Sequence, residues 1–141
     1  MTRRNDIVED LQERLEALED LEAVVLFDRE PPDVTARPCV ALTWTSDRLT
    51  AGPANGRFTR FLRVAIYLFA VEAEGETLLE TIDRLLAEIE AVVMADHTFG
   101  GNAFDVRDVE SSLFPAVEGI GDVGGIVTAE IGYYSIGLGA T

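Results

Sequence analysis

The stretch from Arg57 to Glu72, RFTRFLRVAIYLFAVE, constrains the fold more than any other part of the chain. Its sixteen residues contain no Gly or Pro and are dominated by Phe, Leu, Val, Ile and Tyr. Successive side chains of an extended strand point to opposite faces. Leu62, Val64, Ile66, Leu68 and Ala70 then share one face, and Arg63, Ala65, Tyr67, Phe69 and Val71 share the other. Both rows are largely apolar. A strand covered on one side only would alternate apolar with polar residues, so this one requires a second cover, from its own chain or from a neighbouring subunit.

The segments around this strand read as follows. Asn5 to about Glu22 has the spacing of an amphipathic helix, with Ile7, Leu11, Leu15, Leu18 and Leu21 on one side and Asn5 or Asp6 as its cap. Ala23–Phe27 is a short strand. DREPPDVTARP interrupts regular structure, because proline lacks the amide proton and restricts its predecessor. Cys39–Thr45 is a second strand, and Ser46–Gly56, with its two Gly and one Pro, reads as a long hairpin loop, either functional or merely mobile. After the long strand, helical spacing returns from Gly75 to about Ala95, with Leu78, Ile82, Leu85 or Leu86, Ile89, Val92 and Val93 in one stripe. Thr77 and Glu80 fit a capping box. A turn over Asp96–Asn102, a strand over Ala103–Phe114, a Gly-rich loop over Pro115–Gly125 and a strand over Ile126–Ile136 complete the chain. The last strand places Val127, Ala129, Ile131 and Tyr133 on one face. The order is αβββαββ, an α/β (α+β) class in one domain over residues 1–141.

Charge excludes several functions. Twenty-six acidic residues against eleven basic ones give a net charge of −15, which disfavours tight nucleic-acid binding. Every basic residue is Arg and none is Lys. Two explanations fit: a coding bias, or a salt-rich cytoplasm whose short Debye length screens the repulsion within an acidic surface, as in a halophilic host. The lone Cys39 allows no intramolecular disulfide and reads as a small core residue. MTRRNDIVEDL lacks the apolar segment of a signal peptide, and no apolar run is long enough for a membrane helix, so a soluble protein of intracellular origin is expected.

No residue pattern announces a reaction, and a non-enzymatic role is expected. His97 is the only histidine; Asp96 precedes it, and Ser46, Ser111, Ser112 and Ser135 are available, but no nucleophile elbow accompanies them. Asp105 and Asp108 in DVRDVE would lie on opposite faces of a strand and lack calcium-loop spacing, so no metal is expected. Gly119, Gly121 and Gly124 spell G-x-G-x-x-G without the strand and helix that a dinucleotide site requires, and no cofactor is expected. The arginines are more suggestive. Arg57, Arg60 and Arg63 surround the start of the long strand and Arg48 precedes it. They either pair with local carboxylates or meet an acidic patch on an adjacent copy, where complementary charge would set register.

Taken together, these features resemble the tail-terminator, or tail-completion, proteins of long-tailed viruses. The likeness rests on the helix and short strand Ile7–Phe27 and the Pro-interrupted entry into the strand Pro38–Trp44. It continues through the Gly-rich Ser46–Gly56 segment, the R-x-x-R-F-L-R-V-A-I-Y strand, the long helix, and two final strands ending near Tyr133 and Tyr134. The resemblance implies a mixed, mostly antiparallel sheet of about five strands, with two main helices on one face and a subunit interface on the other. Leu62, Val64, Ile66 and Leu68 would pack against the Leu85–Val93 helix, with Ala65, Tyr67 and Phe69 near a neighbouring subunit. The interface candidates are therefore Arg48, Arg57, Arg60, Arg63, Ala65, Tyr67 and Phe69. The family further implies a hexameric homo-oligomer that caps the tail tube and stops its polymerisation. It would bind tail-tube protein and a head-tail connector or neck protein, with DNA passing through the lumen, and it would reside in the tail-neck region of the virion after assembly in the host cytoplasm. The alternative from another class is a small-molecule-binding or regulatory α+β module, acting as a dimer, with a pocket between Trp44, Tyr67 and the second helix.

Overall fold

A computed structural model describes residues 2–26, 38–114 and 124–136, and within them the elements follow the expected order. They are α1 (Arg3–Glu16), β1 (Ala23–Leu26), β2 (Cys39–Ala54), β3 (Arg57–Phe69), α2 (Leu78–Met94), β4 (Asp105–Phe114) and β5 (Gly124–Ser135). The described strands form one mixed sheet in the spatial order β1-β2-β3-β5-β4, parallel between β1 and β2 and antiparallel elsewhere. The protein is α+β. The apolar strand β3 lies at the centre of the sheet, paired with β2 from Arg57 to Phe69 and with β5 from Phe58 to Phe69.

Both helices cover the same face. Ile7, Leu11 and Leu15 of α1 and Ile82, Leu85, Ile89 and Val93 of α2 share a core with the inward row Leu62, Val64, Ile66 and Leu68. Val40 and Leu42 of β2 join it, as do Val127, Ala129, Ile131 and Tyr133 of β5. Burying a Leu or Ile side chain contributes roughly 1.5–3 kcal/mol, so this single core dominates the stability of the subunit.

Several boundaries differ from the sequence expectation, and three of the differences have a local reason. Helix α1 begins at Arg3 because Thr2, rather than Asn5 or Asp6, caps it: the Thr2 hydroxyl accepts from the Asn5 amide at 3.2 Å. The helix ends at Glu16, yet Leu18 and Leu21 still pack on the core, because turns closed by Leu18 N to Leu15 O and Leu21 N to Leu18 O keep them on that side. Apolar spacing reports which side faces the core and not where helical hydrogen bonding stops.

The third correction is larger. Ser46–Gly56 is not a long loop. Strand β2 continues to Ala54 through register shifts after Trp44, Leu49 and Ala51, and the connection to β3 is the tight turn Asn55–Gly56. Those two residues have φ of 53° and 75°, the pair of positive values that a two-residue hairpin turn with the correct twist demands, and Asn-Gly supplies them at low cost. The irregularities let Gly and Pro sit inside the strand while the ladder recovers on either side. Helix α2 starts as the sequence predicts, with the Thr77 and Glu80 capping box formed in both directions at 3.2 and 3.3 Å. The Gly-rich segment 115–123 and the proline-rich segment 27–37 lie outside the described residues. Gly124 and Gly125, expected in the loop, instead open β5.

Candidate functional site

Among the described residues no helix lies on the second face of the sheet, and this face divides into two zones. At the β1 end, Cys39, Ala41 and Phe69 form a small second cluster with Ala23, Val25 and Tyr67 packed on it. At the hairpin end the surface is built from aromatic rings and arginines.

The arginine zone depends on Gly132. A Cβ at this position would lie 2.7 Å from Phe104 Cζ and 2.9 Å from Phe61 Cε1, so only a residue without a side chain lets both rings lie flat across β5. Phe61 and Phe104 meet edge to face with centroids 6.0 Å apart, and Phe104 stacks on Tyr134 at 4.6 Å. Guanidinium groups then cover the rings: Arg57 lies 4.1 Å from the Tyr134 centroid, Arg107 3.5 Å and Arg48 5.9 Å from that of Phe61. Glu130 accepts from Arg107 Nε at 3.1 Å and pairs with Arg48 at 3.7 Å. Arg63, opposite Glu130, donates to Thr128 Oγ1 at 3.4 Å. Four arginines and one carboxylate thus share a surface, and it remains accessible: Arg48 is 58% exposed, Arg107 41% and Phe104 37%. Arg48, Arg57 and Arg63 were read from the sequence as one group. Arg107 was missed, because only the pairing of β4 with β5 brings it beside them.

Arg60 separates from that group. It points to the helix side and is buried, donating through Nε to Ser135 Oγ at 3.2 Å and lying 3.7 Å from Asp47 Oδ2. The same Asp47 oxygen accepts from Arg4 Nη1 of α1 at 2.8 Å and from the Tyr133 hydroxyl. Burial and the adjacent Asp47 carboxylate push the Tyr133 phenol above its usual range. Asp47 is itself almost fully buried, and its Oδ1 has no hydrogen-bond partner among the described residues. Arg60 therefore joins a buried network that ties the start of α1 to β2, β3 and β5.

The remaining interface candidates are already largely enclosed. Ala65 is 2% and Phe69 4% exposed, while Tyr67 is half-buried. The expected pocket between Trp44, Tyr67 and α2 does not form. Trp44 pairs with Val64 and lies on the helix side, where Arg4 stacks on it at 4.5 Å, whereas Tyr67 pairs with Ala41 and lies on the other face. Period-two geometry forbids a shared pocket for residues of opposite parity.

The other chemical candidates disperse. His97 Nδ1 is 3.8 Å from Asp105 rather than beside Asp96, and both side chains are about half exposed. Asp96 instead closes the turn after α2, accepting from the Thr98 amide and hydroxyl at 2.9 and 2.6 Å and from the Gly100 amide. Those bonds hold its carboxyl at about 2, well below the usual range. Ser111 donates to Glu90, and Ser135 accepts from Arg60. Among the described residues no three His, Cys, Asp or Glu side chains converge as a metal site, and no helix is long and apolar enough to cross a membrane.

The helix layer has the opposite electrical character. Arg14 donates to the Val92 and Asp96 carbonyls at the end of α2 and pairs with Asp10 at 2.6 Å. Arg84 is held by Glu76 and Asp20 at 2.9 Å each and lies 3.6 Å from Glu88. With these arginines occupied, Glu9, Glu13, Glu16 and Glu19 are exposed and have no ion-pair partner among the described residues. No protein-family model matches the chain, and no curated protein is significantly similar to it.

Proposed function

We propose that this protein is a structural subunit of a viral tail, a terminator that forms a ring on the end of the tail tube, stops its polymerisation and presents a surface to the head connector. The observation that carries this reading is the arginine and aromatic surface on the sheet face opposite the helices, in a subunit of net charge −15. A cationic face on an acidic protein is suited to an acidic protein partner, and the rings beneath the arginines supply the apolar area that such contacts bury. The chain acts by assembly and not by catalysis. Its overall acidity would leave a ring lumen that repels DNA and lets it pass.

Electron microscopy of the purified protein, alone and mixed with candidate tail-tube subunits, tests this. Closed rings that cap tubes of fixed length are expected. A protein that stays monomeric in the presence of tube subunits and never decorates tube ends overturns the reading.

A further inference from the structure

We infer that the arginine and aromatic sheet face of one copy docks into the groove between α2 and the turn that follows α1 in the next copy, so that the subunit assembles head to tail. The groove has a volume of about 550 Å³ and is lined by the apolar Ala17, Leu18, Ala91 and Val92 and by the carboxylates Glu19 and Glu88. The two surfaces match in chemistry. Phe104, exposed and flanked by Arg57 and Arg107 through the shared ring stack, suits the apolar lining, while the guanidinium groups suit the carboxylates.

The positive charge beside the groove is already engaged: Glu76, Asp20 and Glu88 surround Arg84, and Arg14 is held by Asp10 and the Val92 and Asp96 carbonyls. Burial and the Asp20 charge raise the Glu88 carboxyl, so another cation would relieve this acidic pair.

Geometry dictates the mode of assembly. The two surfaces lie on opposite sides of a two-layer subunit, so neither is complementary to itself. A contact between unlike surfaces is heterologous, and repeated about an axis it closes into a ring or runs on as a filament. A single-stranded nucleic acid is the other occupant that an arginine and aromatic face can take. The ring faces here are already covered by arginines or by each other, and the net charge repels a polyanion, so a second copy of the chain is favoured.

This inference rests on the proposed ring only in requiring self-association, and a charge-swap experiment separates the two. Molar mass by light scattering would be measured for the full-length wild type, for R48E/R57E, for E19R/E88R, and for an equimolar mixture of the two variants. Circular dichroism would verify that each variant is folded, and a fluorescent oligo-dT would serve as the nucleic-acid probe. Self-association of the wild type is expected, with at least a tenfold weakening in each variant alone and recovery in the mixture, where every sheet face again meets a groove of opposite charge. A wild-type oligomer that E19R/E88R leaves intact overturns the groove assignment and leaves the ring standing. A wild type that remains monomeric at all concentrations overturns both. Oligo-dT binding that R48E/R57E abolishes, without self-association, assigns the face to nucleic acid instead.

Discussion

Asp47 shows how one residue can organise a corner of the molecule. Its Oδ2 gathers Arg4, Arg60 and Tyr133 from three different elements, while the carboxylate is almost fully buried. Removing one member of a buried charge network costs more than the pair contributes, because the remaining groups keep their desolvation penalty. Asp47→Ala should therefore lower the unfolding free energy by about 3 kcal/mol in urea titrations. Arg48→Ala, one residue further along and exposed, should change it by about 0.5 kcal/mol or less. Asp96 offers a second test at this scale. Its carboxyl lies at about 2 in the fold, against an ordinary 3.8, because the Thr98 hydroxyl and amide favour the charged form. A depressed value means that the stabilisation is complete above 3.8 and is lost as pH falls towards 2. The difference in urea midpoint between wild type and Asp96→Asn should be constant from pH 5 to 7, shrink as pH falls below about 4 and approach zero near 2. A difference that does not change with pH would contradict it.

Among the elements, β5 carries a strict steric condition at Gly132. It faces the core through Val127, Ala129, Ile131 and Tyr133, and it supports the arginine surface through the gap at Gly132. Gly132→Ala should displace the rings of Phe61 and Phe104 and cost about 1–3 kcal/mol. It should also weaken self-association more than that loss of stability explains, as measured by light scattering at a temperature where the variant is fully folded. If stability falls and association is unchanged, the ring stack is not part of the contact. Helix α2 shows the opposite regime, in which local signals suffice. Its capping box and apolar stripe are both sequence-local, and both occur as the spacing predicts. Strand β2 falls between them. Gly52, Pro53 and Asn55 suggested a loop, but pairing with an uninterrupted neighbour kept the backbone extended until Asn55–Gly56 could turn it.

For the whole molecule, the governing quantity is the charge of −15 and its uneven distribution. The helix layer concentrates exposed carboxylates and the far sheet face concentrates arginines, so the subunit has two electrically distinct sides. Salt should act on the dissociated subunit by screening its self-repulsion, since the Debye length falls from about 10 Å at 0.1 M to about 3 Å at 1 M. The melting temperature at low protein concentration should rise with KCl, by about 4 °C for each kcal/mol of repulsion relieved. A flat response would favour coding bias as the origin of the lysine-free composition.

Much of this architecture was legible in the sequence, because it depends on periodicity. Alternation along β3 and β5 and the 3.6-residue stripes of the helices report which side chains seek a common core, and the αβββαββ order follows from them. What periodicity does not carry is the partner of each strand. Arg60 and Arg63 look alike in sequence, yet the odd spacing sends one into a buried network with Asp47 and the other to the open face. Arg107 became part of the surface only when β4 paired with β5, and Trp44 and Tyr67 parted only when the register of β2 on β3 placed them on opposite sides. Local spacing determined the elements and their buried faces; the tertiary structure decided which charges became neighbours, because strand pairing joins residues that lie far apart along the chain.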